Sequence, residues 1–124
     1  MSYLLIFLGA GLGGVFRFLV SSGVQGLTND WTFPLGTMTV NILGCLLIGM
    51  GAQFSETRAF FSPEIRAFLM VGVLGGFTTF STYGYETFQL IRDGQMFYAI
   101  SNAVLQVLIG VACVYLGYWL AKLL

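Results

Sequence analysis

Charge is what this chain has least of. Lys, Arg, Asp and Glu make up 8% of its 124 residues and cancel to a formal net charge of zero. A soluble domain carries roughly 25% charged residues. Histidine is absent, so no switch near neutral pH can rest on an imidazole. The two cysteines, Cys45 and Cys113, are isolated in apolar stretches, where a thiol acts as a small hydrophobe. Two separate thiols without histidine argue against a transition-metal site. No basic cluster offers a footing for nucleic acid. No nucleophile stands beside a base, as hydrolysis requires. The apolar start also lacks the basic segment of a cleavable signal peptide, because the first positive residue is Arg17.

Hydrophobicity takes the place of charge. The chain is 57% hydrophobic with a mean hydropathy of +0.88, which indicates an integral membrane protein. A helix needs about 20 residues to cross a bilayer. The length therefore predicts one all-α domain over 1–124 with four spans and no soluble domain. The expected spans are Tyr3–Ser22, Leu35–Phe54, Ile65–Ile91 and Phe97–Leu123. The joints carry loop residues: Thr28-Asn29-Asp30, then Ser55-Glu56-Thr57-Arg58 and Ser62-Pro63-Glu64, then Arg92-Asp93-Gly94. Pro63 followed by Glu64 suits the first turn of the third helix.

The stretch Gly75–Tyr83, GGFTTFSTY, does not fit a simple lipid-facing helix. Two glycines precede Thr78, Thr79, Ser81 and Thr82, set between aromatics. Backbone at membrane depth must satisfy its own hydrogen bonds. Two readings stand: a break that lines a site or path, or a continuous helix whose hydroxyls bond back to its own carbonyls.

Other polar residues fall inside the spans. Asn41 sits in the second, on the same helix as Thr37 and Thr39; Asn102 and Gln106 share a face of the fourth, four residues apart. Buried amides are costly in lipid unless paired or watered. They can glue helices together or form a polar track. A track of neutral donors would touch an anion without trapping it, as conduction requires. Arg17 either snorkels as an anchor or attracts anions at a vestibule. Glu86 is expected near an interface, paired with a hydroxyl or a cation. Phe80 and Tyr83, three apart, could turn positive ring edges toward a path.

Orientation is weakly specified. Of the five positive residues, Arg58, Arg66 and Lys122 fall on one side, against Arg17 and Arg92 on the other. So small a bias lets both orientations insert, and two opposed copies could pack about an axis in the membrane plane. Gly9, Gly13, Gly72 and Gly76 form small-xxx-small pairs that let helices approach closely, within one chain or between two.

Three motifs, Gly13-Gly14-Val15-Phe16-Arg17, Gly36-Thr37-Met38-Thr39-Val40-Asn41-Ile42-Leu43-Gly44 and Gly72 through Tyr83, resemble the Fluc (CrcB) fluoride channels over the whole chain. The third string is very specific. The resemblance implies an antiparallel, dual-topology homodimer in the plasma membrane, with a break in the third helix and two pores. It implies passive, selective export of fluoride from the cytoplasm. The fluoride pathway it implies runs by Asn41, Phe80 and Tyr83, with Ser81, Thr82 and Thr39 alongside and Asn102 and Gln106 on the fourth helix. Tyrosine at 83 departs from the family's phenylalanine. The resemblance also implies a central structural sodium (Na+) held by the backbone carbonyls of Gly75 and Thr78, a donor type suited to a hard cation. The competing reading is a small multidrug-type proton-coupled antiporter. That chemistry needs a carboxylate deep in the bundle, and the first span has none.

The weak charge bias generates a test of topology. Two lysines added to the Thr28–Asp30 loop should force one orientation and remove activity. Co-expression with an oppositely biased variant should restore it. Full activity of the biased variant alone, as a dimer, would contradict the antiparallel arrangement.

Overall fold

The computed structural model describes residues 1–57 and 61–124, and Arg58 of the charge count lies outside them. Four segments are long and apolar enough to cross a membrane: Ser2–Leu27, Leu35–Thr57, Pro63–Arg92 and Met96–Leu123. The first helix runs past the expected Ser22. Val24 and Leu27 continue its apolar pattern, and the Thr28 hydroxyl closes its end by donating to the Val24 carbonyl at 2.9 Å. The turn at residues 28–30 then breaks the chain direction.

The third span opens on Ser62, whose side chain accepts the Ile65 N–H at 3.2 Å, with Pro63 in the first turn where its missing donor is harmless. Ala67–Leu74 winds as a wide π-helix, which no residue pattern there announces. Gly75 and Gly76, expected to loosen the span, remain helical in Gly75–Phe77. Thr78 (φ −82°, ψ 158°) and Thr79 (φ −148°, ψ 121°) are instead extended. A helix resumes over Phe80–Arg92, with the Thr79 hydroxyl accepting the Thr82 N–H at 3.2 Å as its cap. Its far end closes on Gly94 at φ +76°. There the Gln95 N–H reaches the Leu90 carbonyl at 2.8 Å and the Gly94 N–H reaches Ile91 at 3.1 Å. That pattern needs the left-handed conformation glycine adopts freely.

The second and fourth helices pack together, and the first packs on the early part of the third span. Small residues set both seams. A Cβ placed on Gly72 would stand 3.0 Å from the Gly9 Cα, and one on Gly76 would stand 2.9 Å from the Ala10 Cα. The expected glycine pairs thus bring two helices of one chain into backbone contact. Gly49 and Gly117 do the same for the second and fourth helices, against the Val114 and Leu46 carbonyls. Large apolar side chains such as Phe7, Phe18, Val107 and Leu108 point outward, the reverse of a water-soluble bundle.

Candidate functional site

The extended pair Thr78–Thr79 organises the site. In a continuous helix the Thr79 N–H would serve the Gly75 carbonyl, and the Thr82 N–H the Thr78 carbonyl. Both donors are diverted. The Thr79 N–H donates to Asn41 Oδ1 at 2.9 Å, and the Thr82 N–H goes to the Thr79 hydroxyl. Asn41 returns a bond from Nδ2 to the Thr79 carbonyl at 3.1 Å. One amide side chain, reaching from the second helix, thereby pairs with both backbone groups of an extended residue, as a neighbouring strand would.

The same Nδ2 donates to Gln106 Oε1 at 2.9 Å. Gln106 Nε2 donates to Asn102 Oδ1 at 2.8 Å, and Asn102 Nδ2 to the Thr87 hydroxyl at 2.9 Å. Thr87 donates to the Tyr83 carbonyl at 2.8 Å. Asn102 is fully buried, and Gln106 nearly so. The three amides expected inside the spans therefore meet in one network. Thr79 and Thr87, two members the sequence reading did not single out, anchor its ends. Thr79 carried a signal, a hydroxyl in the stretch expected to be interrupted; Thr87, inside the helix Phe80–Arg92, carried none.

Asn41, Gln106, Thr79, Phe80, Tyr83 and Gly75 line one groove of about 340 Å³. The Phe80 ring is 83% exposed. It lies 5.6 Å from the Tyr83 ring, centroid to centroid, at an interplanar angle of 51°. The Tyr83 hydroxyl donates to the Ala103 carbonyl at 2.7 Å, tying the third span to the fourth helix. Ser81 and Thr82 are exposed beside the groove. Thr39 turns its hydroxyl back onto the Leu35 carbonyl at 2.7 Å, the self-bonded role open to any helical threonine. Gly75 is exposed, and a Cβ there would meet nothing closer than the Met70 carbonyl at 3.9 Å.

The two charged candidates lie elsewhere. Glu86 lines a second cavity of about 280 Å³ with Gln25, Gln89, Asp93 and Gln95. Its Oε1 accepts the Thr37 hydroxyl at 2.8 Å, the hydroxyl pairing expected of it, while Oε2 is buried without a partner. Arg17 is half-buried on the first helix and forms no salt bridge among the described residues. No cluster of three or more metal-ligating side chains occurs among the described residues.

The profile of the family described as CrcB-like protein, Camphor Resistance (CrcB), matches residues 4–118. The chain belongs to the CrcB family. Among curated CrcB relatives, the fluoride-specific ion channel FluC of Methylobacillus flagellatus is 42% identical over 120 residues, covering 97% of this chain and 94% of the relative. The FluC of Chlorobium phaeobacteroides is 43% identical, over 96% of this chain and 93% of its own. That of Phocaeicola vulgatus is 42% identical over 98% of both. With its four candidate spans, this CrcB chain is a multi-pass membrane protein.

The Tyr83–Ala103 bond sets a stability expectation for this CrcB chain. Tyr83→Phe removes one donor, while the Ala103 carbonyl stays within its helix. The loss should be about 1 kcal/mol, read as a small drop in thermal unfolding midpoint in detergent. No change in midpoint would mean that the bond contributes nothing to the fold.

Proposed function

We propose that this chain is a fluoride-selective ion channel that lets fluoride leave the cytoplasm passively, in bacteria across the plasma membrane, and so lowers fluoride toxicity. It is not an enzyme. The observation that carries this reading is near full-length similarity, above 40% identity, to fluoride-specific channels. The physical case agrees. Hydrogen fluoride crosses a bilayer as a neutral acid and dissociates inside. A negative-inside potential, worth about 2.3 kcal/mol per charge per 100 mV, then drives the anion out without coupling.

Fluoride is small and strongly hydrated, so a path must offer close donors that hold it weakly. The groove beside Phe80 and Tyr83 is lined by hydroxyls, amides and aromatic rings and by no charged side chain. Ser81, Thr82, Phe80 and Tyr83 form the side of the path nearest its opening in this reading, with Asn41, Asn102 and Gln106 behind them. Thr39 belongs to the approach, as does Arg17. The proton-coupled antiporter reading gains no support from the relatives.

The proposed assembly is an antiparallel homodimer. It is supported by the three-against-two charge count and by the exposure of Phe80 beside a groove that a second copy could close. The interruption at Thr78–Thr79 is read as a break at membrane depth. A sodium ion at the dimer axis would be held by the Gly75 and Thr78 carbonyls. Those groups fit a hard cation, because the N–H groups that would serve them in a continuous helix are engaged elsewhere. When bound, the ion would offset their dipoles.

Two measurements on vesicles test the reading. Fluoride efflux, followed with a fluoride electrode, should be electrogenic for the wild type and abolished by Asn41→Asp. That change puts a negative charge beside the path and removes the donors to Gln106 and the Thr79 carbonyl. Efflux at the wild-type rate from folded Asn41→Asp protein would contradict the role of Asn41, and absent wild-type efflux would remove the channel reading. Prolonged replacement of sodium by a bulky organic cation should slow efflux while the transported ion stays the same. Indifference to that replacement would remove the sodium.

A further inference from the structure

The hydrogen-bond network has a fixed direction. At one end stands a backbone N–H, Thr79, which can only donate; at the other a backbone carbonyl, Tyr83, which can only accept. Between them every link donates the same way: Thr79 to Asn41, Asn41 to Gln106, Gln106 to Asn102, Asn102 to Thr87, Thr87 to Tyr83. Turning Asn41 or Gln106 over would face oxygen to oxygen on one side and N–H to N–H on the other, and turning Asn102 over would face its N–H to that of Gln106. The orientation that Thr79 imposes on Asn41 is thus supported from the fourth helix. The path also closes on itself. It leaves the third span at Thr79, crosses the second and fourth helices, and returns to the third span at Thr87, two turns further on.

We propose that Gln106, Asn102 and Thr87 are positioning residues that orient Asn41 and thereby hold Thr79 in its extended conformation, rather than ligands of the transported ion. Asn102 is fully buried and Gln106 is 8% exposed. Each spends its carbonyl and an N–H on the network. Thr87 is the far anchor: its hydroxyl accepts from Asn102 and donates to Tyr83 at the same time. Without it, the Asn102 amide has a buried donor and no acceptor, so Asn102 and Gln106 lose the anchor that fixes their rotamers. Asn41 then loses its lateral support from the fourth helix, and its two bonds to Thr79 open more often. The proposal rests on the channel reading only for its effect on flux; the structural claim stands apart from it.

The test is hydrogen exchange at the Thr79 amide, measured on the full chain in lipid nanodiscs alongside fluoride efflux. Thr87→Val keeps the shape and removes the hydroxyl; Gln106→Met cuts the chain in the middle. Each should speed Thr79 exchange about tenfold, the equivalent of one lost hydrogen bond, while amides elsewhere in the third and fourth helices keep their rates. Efflux should fall without a shift in the fluoride concentration that half-saturates it. Thr87→Ser, which retains the hydroxyl, should restore both. Unchanged Thr79 exchange in folded Thr87→Val and Gln106→Met overturns the proposal. So does a shifted half-saturation with Thr79 still protected, which makes Gln106 an ion ligand, and so does faster exchange throughout both helices, which makes the network general packing. If wild-type protein conducts no fluoride, the channel reading fails while the exchange result still decides the positioning role.

Discussion

A peptide group inside hydrocarbon has no water to turn to, and leaving one unpaired costs several kcal/mol. In the third candidate span two extended residues, Thr78 and Thr79, interrupt the helical ladder and leave backbone groups in need of partners. The Asn41 side chain answers that need by pairing with both the N–H and the carbonyl of Thr79. Much of the remaining architecture serves this contact. The second helix must stand close enough to deliver a short amide. Gly44 permits this: a Cβ there would collide with the Thr78 methyl. The fourth helix must stand close to the second, and Gly49 and Gly117 remove the side chains that would keep them apart.

Close packing through glycine and support by buried amides therefore form one device. Hydrophobic burial does little to join helices in a bilayer, because lipid tails are as apolar as leucine. Backbone proximity and hydrogen bonding carry the association instead. The long side chains that would form the core of a soluble protein face outward here, and the buried polar residues Asn102 and Thr37 bond across to other helices.

Four spans were legible in the sequence, because hydropathy marks them directly; residues 28–30 form the expected turn, whereas residues 55–57, expected in a loop, extend the second helix to Thr57. The first helix overran its expected end at Ser22 since Gly23 and Gly26 carry no stop signal of their own inside a helix held by Thr28. The region of the interruption was legible from its hydroxyls, but its position was not. Glycines permit many conformations without requiring them, so Gly75 and Gly76 stay helical, while the threonines, which can cap and accept partners, take the extended form. The π-helix at Ala67–Leu74 left no mark on composition. The amides were legible as polar residues in lipid, and the Glu86–hydroxyl pairing was foreseen in kind, with Thr37 as its partner. Which amide joins which follows from helix rotation and register, and a single chain of letters does not record those. Thr87 was lost for that reason: nothing in its neighbourhood distinguishes it until the fourth helix brings Asn102 to it.

The chemistry of the groove follows from the same use of neutral groups. A full positive charge at membrane depth would hold a small anion too tightly to release it, and a negative one would exclude it. Hydroxyls and ring edges sit between those limits. Their donors, however, are free to turn, and a path built only from rotors would not keep a fixed width. The amides set behind them are spent on one another and on backbone groups whose polarity cannot reverse. Rigidity comes from the buried row and weak, exchangeable contact from the exposed one. In the proposed channel, Ser81, Thr82 and Phe80 adapt to a passing ion while the backbone on which they stand remains in place.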